Sequence, residues 1–169
     1  MKSTLYIIII LCASCSRDIE KQQPINTQKL QEQLLQANIN ATTLESQQID
    51  SYVKSKNLNV IKTPTGLRYE IYEDQEGVAI INNQRAVVKY TVTLLNGTEC
   101  YATKDNAEEF IVGKDNVESG LHEGITYMSV GDKAIIIIPS HLAHGLAGDS
   151  KKIPIRATII YDVELVAIR

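Results

Sequence analysis

The chain has 169 residues and a formal net charge of -3 at pH 7, with acidic and basic residues mixed along its length. This length suits one ordinary domain with additional segments. The charge pattern excludes the basic surface of a nucleic-acid-binding protein. Aromatic residues are scarce, with eight Tyr, one Phe and no Trp. The core must therefore consist mainly of Ile, Leu and Val, which favour strands.

Residues 1–14 form a short leader with one positive charge, an apolar run and small residues directly before Cys15. The run is too short for a membrane-spanning helix, which needs about 20 apolar residues, and it is typical of a secretory signal. The order Ala-Ser-Cys resembles a lipobox, in which the cysteine is acylated and becomes the first residue of the mature chain. We therefore predict a lipoprotein anchored by Cys15. The alternative is an ordinary signal peptide that leaves Cys15 free.

A polar stretch without periodicity, residues 15–27, follows the leader and predicts a flexible tether. Residues 28–58 then predict a helical segment. Thr27 can cap a first helix because its side-chain oxygen can accept a hydrogen bond from a free backbone N–H. The apolar face of this helix carries Leu30, Leu34 and Ala37 at helical spacing.

A second helix is predicted to begin at Thr42, because Thr42 and Glu45 have the spacing of a capping box. Its apolar face carries Ile49, Tyr52 and Val53. Neither helix is long enough to be stable alone in water. We therefore expect a helical hairpin docked on the main domain, and the alternative is an arm that pairs with a second copy of the chain.

From residue 59 onward the pattern changes to strands. They are predicted at residues 59–63, 67–72, 86–95, 110–112, 133–138 and 156–168. Asn96-Gly97 is a hairpin-turn signal, because both residue types tolerate positive φ. One helix is predicted inside this region, at residues 117–128. Sequential antiparallel strands with a single helix predict an α+β domain, residues 59–169, in which a curved antiparallel sheet wraps around one short helix.

Residues 120–145 read G-L-H-E-G-I-T-Y-M-S-V-G-D-K-A-I-I-I-I-P-S-H-L-A-H-G, and this stretch resembles the FKBP family of peptidyl-prolyl cis-trans isomerases. Three further segments agree with the family in order and spacing: V-V-K-Y-T-V-T-L-L-N-G-T, F-I-V-G-K-D-N-V and I-P-I-R-A-T-I-I-Y-D-V-E-L. The resemblance covers residues 59–169. With its preceding helices and its T-G-L-R-Y-E-I-Y segment, the chain is also similar to FKBP-type lipoproteins of gliding bacteria.

The resemblance implies a reaction that depends on the shape of the site and on the exclusion of water from it, rather than on a nucleophile. Rotation about a peptide C–N bond has a barrier of about 18–20 kcal/mol because the bond has partial double-bond character. A preformed apolar cleft can favour the twisted amide over the planar one. The resemblance therefore implies a proline-containing polypeptide as substrate, and neither a cofactor nor a metal.

The family pattern assigns site residues one by one. Tyr90, Tyr161 and His144 fall on catalytic positions, with His144 in the place of a loop tyrosine. The substrate-binding positions fall on Cys100, Tyr101, Phe110, Val117, Glu118, Leu121 and Ile153. The family usually has Phe-Asp at the slots of Cys100 and Tyr101, and often Trp at the slot of Leu121. The backbone N–H of Glu118 is expected to face the substrate carbonyl.

Two other interpretations stand beside this assignment. Tyr90 and Tyr161 each lie on an apolar strand face, so both can be ordinary core residues. His141 and His144 are three residues apart and invite a metal-site hypothesis. No Cys or carboxylate nearby in the sequence completes a recognisable set of ligands, so we expect no metal.

The leading functional hypothesis is a membrane-tethered prolyl isomerase that acts on exported proteins. It would lie outside the cytoplasm, on the periplasmic side of the outer membrane, held through Cys15. The alternative is a non-catalytic module of the same fold, a chaperone or assembly lipoprotein, for example in a gliding or secretion apparatus. Expected partners are proline-containing polypeptides and the membrane but no nucleic acid, and a homodimer through the N-terminal helices is a further hypothesis.

Overall fold

The computed structural model describes residues 26–104 and 106–169. The predicted signal peptide, Cys15 and most of the predicted tether lie outside these residues. The described elements are the helices α1 (Thr27–Ser55) and α2 (Ser119–Ile125), a 3-10 turn (Ser140–Leu142), and the strands β1 (Ile61–Lys62), β2 (Arg68–Glu73), β3 (Arg85–Leu94), β4 (Glu99–Ala102), β5 (Glu108–Ile111), β6 (Lys133–Ile138) and β7 (Ile159–Ile168). Residues 37–169 form one compact unit, which contains the sheet, α2 and the later part of α1.

Seven strands form one antiparallel sheet in the order β1-β2-β6-β7-β3-β4, with β5 paired to the free part of β3. The predicted α+β class and the curved sheet around one short helix are confirmed. β4 was not predicted as a strand. It pairs with β3 after the Asn96-Gly97 turn, where Gly97 takes a φ of 86°.

The main core fills the space between α2 and the inner face of the sheet. Its buried members include Val88, Val92, Phe110, Leu121, Ile125, Ile136, Ile138, Ile159 and Val163. α2 approaches β6 closely because it carries glycines on the facing side. A Cβ atom on Gly124 would lie 2.8 Å from the Ile136 side chain, so a larger residue would force α2 or that side chain to shift.

β6 is buried on both faces, which explains its unbroken run of isoleucines. Ile136 and Ile138 belong to the main core, whereas Ile137 packs in a second cluster on the opposite face. Ile49 of α1 is fully buried in that second cluster, together with Ile160 of β7. The part of α1 around Ile49 therefore packs on the outer face of the sheet, where a docked helical hairpin was expected.

The prediction of two N-terminal helices was wrong, because residues 27–55 form one continuous helix. No Gly or Pro interrupts the sequence between the two expected helices. Thr42 does not cap a helix end. Its hydroxyl donates to the carbonyl oxygens of Asn38 and Ile39, each at 3.0 Å, which is a common arrangement for a threonine inside a helix.

A buried charge adds a second link between α1 and the sheet. Arg68 of β2 is only 2% exposed. Its guanidinium donates to Asp50 at 2.6 and 2.9 Å, and to the Ser46 hydroxyl at 2.8 Å. A buried charge is costly unless it is paired and hydrogen-bonded, so this contact fixes where α1 can lie on the sheet.

The C-terminal strand begins later than predicted. β7 starts at Ile159 rather than at residue 156, and Arg156 takes a positive φ of 53° that ends the preceding loop. The alternation in residues 156–168 predicts one shared face for Ala157, Ile159, Tyr161, Val163 and Leu165. The last four are buried, whereas Ala157 precedes the strand and is half-buried. The alternation in the sequence therefore identified the core face correctly.

Ile49→Ala tests the packing of α1. We expect a loss of about 2–5 kcal/mol in the free energy of unfolding, since a buried isoleucine is removed and a cavity remains. The matched control is Leu44→Ala on the same helix, where Leu44 is 57% exposed and the expected change is within about 0.5 kcal/mol. Urea unfolding measures both variants, and equal losses would contradict the packing described.

Candidate active site

A cleft of about 470 Å³ opens between the sheet, the start of α2 and the loop between β6 and β7. This volume lies within the range of small-molecule sites. Eight of the predicted site residues line it: Tyr90, Tyr101, Phe110, Val117, Glu118, Leu121, His144 and Tyr161. The side chains of Tyr101 and His144 form part of the wall of this cleft and do not fill it.

Tyr90 on β3 and Tyr161 on β7 form two adjacent walls. Their ring centroids are 5.2 Å apart and the ring planes are inclined by 58°, a favourable tilted geometry. Tyr161 is 5% exposed. The pKa of Tyr161 is raised, first by desolvation and then by the nearby Glu118 carboxylate. The pKa of Tyr90 is raised by burial and by its hydrogen bond to Glu108. Both phenols therefore stay protonated and act as hydrogen-bond donors.

Glu118 connects two sides of the cleft. It precedes α2 as the N-terminal cap residue. Its carboxylate accepts from the Tyr161 hydroxyl at 3.0 Å and lies 2.9 Å from Nε2 of His144. Within the described residues the backbone N–H of Glu118 makes no hydrogen bond. The amide is therefore unoccupied at the position where the family pattern expects a donor to the substrate.

Tyr101 stands where the family usually has Asp, and its hydroxyl donates to the carboxylate of Asp149 across the cleft. The amides of Lys151 and Ile153 also donate to Asp149, each at 2.8 Å. A carboxylate is thus still present at this edge. It comes from the loop between β6 and β7 instead of from β4.

Cys100 and Ile153 are buried in the main core and do not contribute to the lining of the cleft. Cys100 is 1% exposed, and its Sγ atom lies 3.7 Å from the carbonyl oxygen of Lys152. Burial raises the pKa of its thiol, so Cys100 is a packed side chain and not a reactive thiolate. Ile153 supports the loop because its backbone N–H donates a hydrogen bond to the Asp149 carboxylate.

Several lining residues were not predicted as site residues, among them Glu108, Glu109, Asn116, Asp149 and Lys151. Glu108 accepts from the Tyr90 hydroxyl at 2.8 Å. Asp149 lies in a Gly-Asp-Ser sequence, which indicates a loop. This local pattern does not indicate that its partner is Tyr101. Sequence alone does not carry that pairing.

The two histidines of the metal hypothesis have other partners. Nε2 of His141 lies 3.0 Å from the carbonyl oxygen of Thr65, and His144 contacts Glu118. Within residues 26–104 and 106–169, no group of three or more His, Cys, Asp or Glu residues is arranged to hold a metal ion.

Asp149→Asn tests the loop pairing through its pH dependence. Desolvation alone would raise the pKa of Asp149, but hydrogen bonds from Tyr101, Ile153 and Lys151 outweigh it and lower the pKa to about 2 from 3.8. Because the folded-state pKa is depressed, the ionised carboxylate stabilises the fold above about pH 4, and this contribution disappears as the pH falls toward 2.

We therefore expect Asp149→Asn to be less stable than wild type near neutral pH, with a difference that shrinks between about pH 4 and pH 2. Urea unfolding at several pH values measures this difference. A difference that stays constant over the whole pH range would show that Asp149 does not act through its charge.

Comparison with known proteins agrees with this geometry. A model of FKBP-type peptidyl-prolyl cis-trans isomerases matches residues 77–166, more than half of the chain. FK506-binding protein 2 of Dictyostelium discoideum is 35% identical over 109 residues, which cover 63% of this chain and 80% of that protein. FkpA of Escherichia coli, an FKBP-type peptidyl-prolyl cis-trans isomerase, is 33% identical over 115 residues, which cover 68% of this chain and 42% of FkpA.

The chain spans less than half of FkpA and about a third of FK506-binding protein 4 of Dictyostelium discoideum, of which it covers 31%. Among solved structures, the crystal structure of FkpA from Escherichia coli matches with a TM-score of 0.66 at 27% identity, covering 88% of this chain and 74% of that one. A peptidyl-prolyl cis-trans isomerase of Pseudomonas syringae shares the fold, with a TM-score of 0.64 at 22% identity over 75% of this chain and 95% of that one. The matched family model and the sequence identity to these relatives establish that the chain belongs to the FKBP-type peptidyl-prolyl cis-trans isomerase family.

Proposed function

We propose that this protein is a peptidyl-prolyl cis-trans isomerase that acts on proline-containing segments of exported polypeptides. The observation that carries the proposal is the open cleft walled by Tyr90 and Tyr161, in a chain that belongs to the isomerase family. Val117 and Leu121 give this cleft an apolar lining near the start of α2. A pyrrolidine ring suits such a surface because it is compact and apolar.

The proposed mechanism uses shape and hydrogen bonding. The planar X–Pro amide is stabilised by resonance, and the twisted amide loses that resonance together with part of the negative charge on its oxygen. The apolar part of the lining, at Val117 and Leu121, favours the less polar, twisted form. The unoccupied N–H of Glu118 is available to hold the substrate carbonyl while the bond rotates. No nucleophile takes part.

Tyr161→Ala tests the catalytic role of the cleft. We expect wild type to accelerate isomerisation of a Leu-Pro peptide, and the variant to lose about 10-fold or more in kcat/KM, since a loss of about 1.4 kcal/mol of transition-state binding is tenfold in rate. A protease-coupled assay measures the rate, and circular dichroism confirms that the variant is folded. Tyr90→Ala provides a second test at a less buried position.

Tyr127→Ala is the matched control. Tyr127 is 40% exposed and stacks on Tyr69, with ring centroids 4.4 Å apart, outside the cleft. Its activity is expected to stay within about twofold of wild type. A folded wild-type protein that gives only the uncatalysed rate would refute the isomerase proposal.

A second candidate function is a binding module of the same fold without catalysis, a chaperone or assembly lipoprotein. The observation that favours it is the acidic lining, because Glu108 and Glu118 stand where an apolar surface would serve the reaction better. Under this alternative, the wild-type protein binds the Leu-Pro peptide in a titration but does not accelerate its isomerisation. The assay above therefore separates the two functions.

We further propose that a lipid on Cys15 holds the protein on a membrane outside the cytoplasm, on the periplasmic side of the outer membrane. The support is the short leader that ends in Ala-Ser-Cys. In the described part of the chain, neither helix combines the length and hydropathy of a membrane span. One acyl chain gives marginal binding, and additional chains give stable anchoring.

Cys15→Ser tests the anchor. In cells grown with labelled fatty acid, wild type is expected to carry the label and to sediment with membranes, whereas Cys15→Ser is expected to lose both properties. Cys100→Ser is the matched control, because Cys100 is buried in the folded domain and its replacement should leave the label in place. Equal labelling of wild type and Cys15→Ser would refute the proposal.

We also propose a second copy of the chain as a partner for the first part of α1. Leu30, Leu34 and Leu35 are 43%, 55% and 62% exposed, and such side chains on a helix suit an interface with another helix. The double variant Leu30→Gln with Leu34→Gln should sediment as a monomer, whereas Gln33→Ala should keep the wild-type mass. A wild-type protein that sediments with the mass of one chain would exclude the dimer.

A further inference from the structure

The carboxylate of Glu45 on α1 makes three hydrogen bonds to the domain that carries the cleft. Oε1 accepts from the backbone N–H of Ser140 and from the hydroxyl of Thr158, each at 2.7 Å. Oε2 accepts from the hydroxyl of Ser140 at 2.9 Å. Ser140 is 8% exposed and Thr158 is 4% exposed. These donors have little access to water, so the carboxylate is the group that satisfies them.

The two bonded residues stand at the two ends of one loop. β6 ends at Ile138 and β7 begins at Ile159, so Ser140 and Thr158 bracket the connection between the strands. The Glu45 carboxylate is therefore hydrogen-bonded to both ends of one loop. This loop contributes Ala143, His144, Asp149 and Lys151 to the wall of the cleft.

Backbone hydrogen bonds connect the end of the loop at Ser140 to the wall of the cleft. The carbonyl oxygen of Ser140 accepts from the N–H of Gly145 at 2.8 Å, and the carbonyl oxygen of Gly145 accepts from the N–H of Arg156 at 2.8 Å. Gly145 directly follows His144, whose ring contacts Glu118. The position of the His144 ring therefore depends on where Ser140 is held.

A further bond joins the loop to the other wall. The hydroxyl of Ser119, which follows Glu118, donates to the carbonyl oxygen of Leu142 at 3.1 Å. A shift of the loop end would thus move His144 relative to Glu118 and would loosen the contact of the loop with the start of α2.

The helix that presents Glu45 is held on the sheet by separate contacts. Ile49 is fully buried against the outer face of the sheet, and Asp50 pairs with the buried Arg68. Neither residue is among those that line the cleft. Glu45 is therefore carried by a firmly docked segment and is the residue of that segment that holds both loop ends.

We propose that Glu45 is a positioning residue for the isomerase cleft, which sets the geometry of the His144 loop from the opposite side of the sheet. The inference rests on the proposed function for its activity readout. It assigns to α1 a role in the shape of the cleft, in addition to covering the outer face of the sheet.

The experiment compares three variants of the full chain. In Glu45→Ala all three hydrogen bonds are lost, in Glu45→Gln the amide oxygen can still accept two of them, and Asp50→Asn weakens the docking of α1 without touching the loop. We expect Glu45→Ala to lose about 10-fold in kcat/KM for a Leu-Pro peptide, because small misplacements of site groups have effects of this order or larger. Glu45→Gln should recover most of the activity, and Asp50→Asn should stay within about twofold of wild type.

Hydrogen exchange of the backbone amides provides a readout that does not depend on catalysis. In Glu45→Ala, exchange in residues 139–158 should become about 10-fold faster while exchange in β6 and β7 is unchanged, because the loop opens locally. In Asp50→Asn, exchange should increase in α1 and not selectively in the loop.

The two sets of results distinguish failure of this inference from failure of the proposed function. If wild type is inactive, the isomerase proposal fails, and loop exchange alone then decides whether Glu45 holds the loop. If wild type is active and Glu45→Ala matches it in rate or in loop exchange, the inference is overturned. It is also overturned if Glu45→Ala and Asp50→Asn lose activity in proportion to their losses of stability.

Discussion

The cleft exists because the helix inside the sheet is much shorter than the strands around it. α2 has seven residues, whereas β3 and β7 have ten each. At about 1.5 Å per residue in a helix and about 3.3 Å in a strand, α2 is about 10 Å long and these strands are about 33 Å long. Among residues 26–104 and 106–169, no other α-helix covers the remaining inner face of the sheet. Its apolar and aromatic side chains form the floor and walls of the cleft.

Three tyrosine–carboxylate pairs determine the chemistry of that exposed inner surface. Tyr161 donates to Glu118, Tyr90 to Glu108 and Tyr101 to Asp149. In each pair a phenol satisfies a carboxylate, so negative charge is held in place at the wall. The pairs explain how the cleft tolerates acidic residues at positions where the family pattern has other types. A carboxylate that already accepts a hydrogen bond from a phenol interferes less with the binding of a substrate to the neighbouring apolar surface.

The sequence was sufficient for the features that depend on local pattern. The alternation in β3 and β7, the isoleucine run of β6 and the Asn96-Gly97 turn each follow from residues close together in the chain, and each corresponds to the observed element. The resemblance to the family then placed Tyr90 and Tyr161 in one cleft, which periodicity alone did not do.

Features that depend on long-range contacts were missed or misassigned. Thr42 and Glu45 have the spacing of a capping box, but Glu45 binds Ser140 and Thr158, which lie more than 90 residues away in the chain. Burial of Arg68 depends on Asp50 of a helix on the other face of the sheet. Asp149 acquires its role at the wall of the cleft because Tyr101 donates a hydrogen bond to it from the opposite side. These pairings arise from tertiary packing, which a single sequence does not display.

Isomerisation by this protein requires that a proline segment binds in the cleft between Tyr90, Tyr161 and the start of α2. Backbone amide NMR shifts of the full chain, recorded while a short Leu-Pro peptide is added, test it most directly. If the segment binds there, saturable shifts are expected at Tyr90, Val117, Leu121 and Tyr161, with little change in the Ile49 segment of α1. Saturable shifts confined to α1, or none at the cleft in a folded protein, would contradict it.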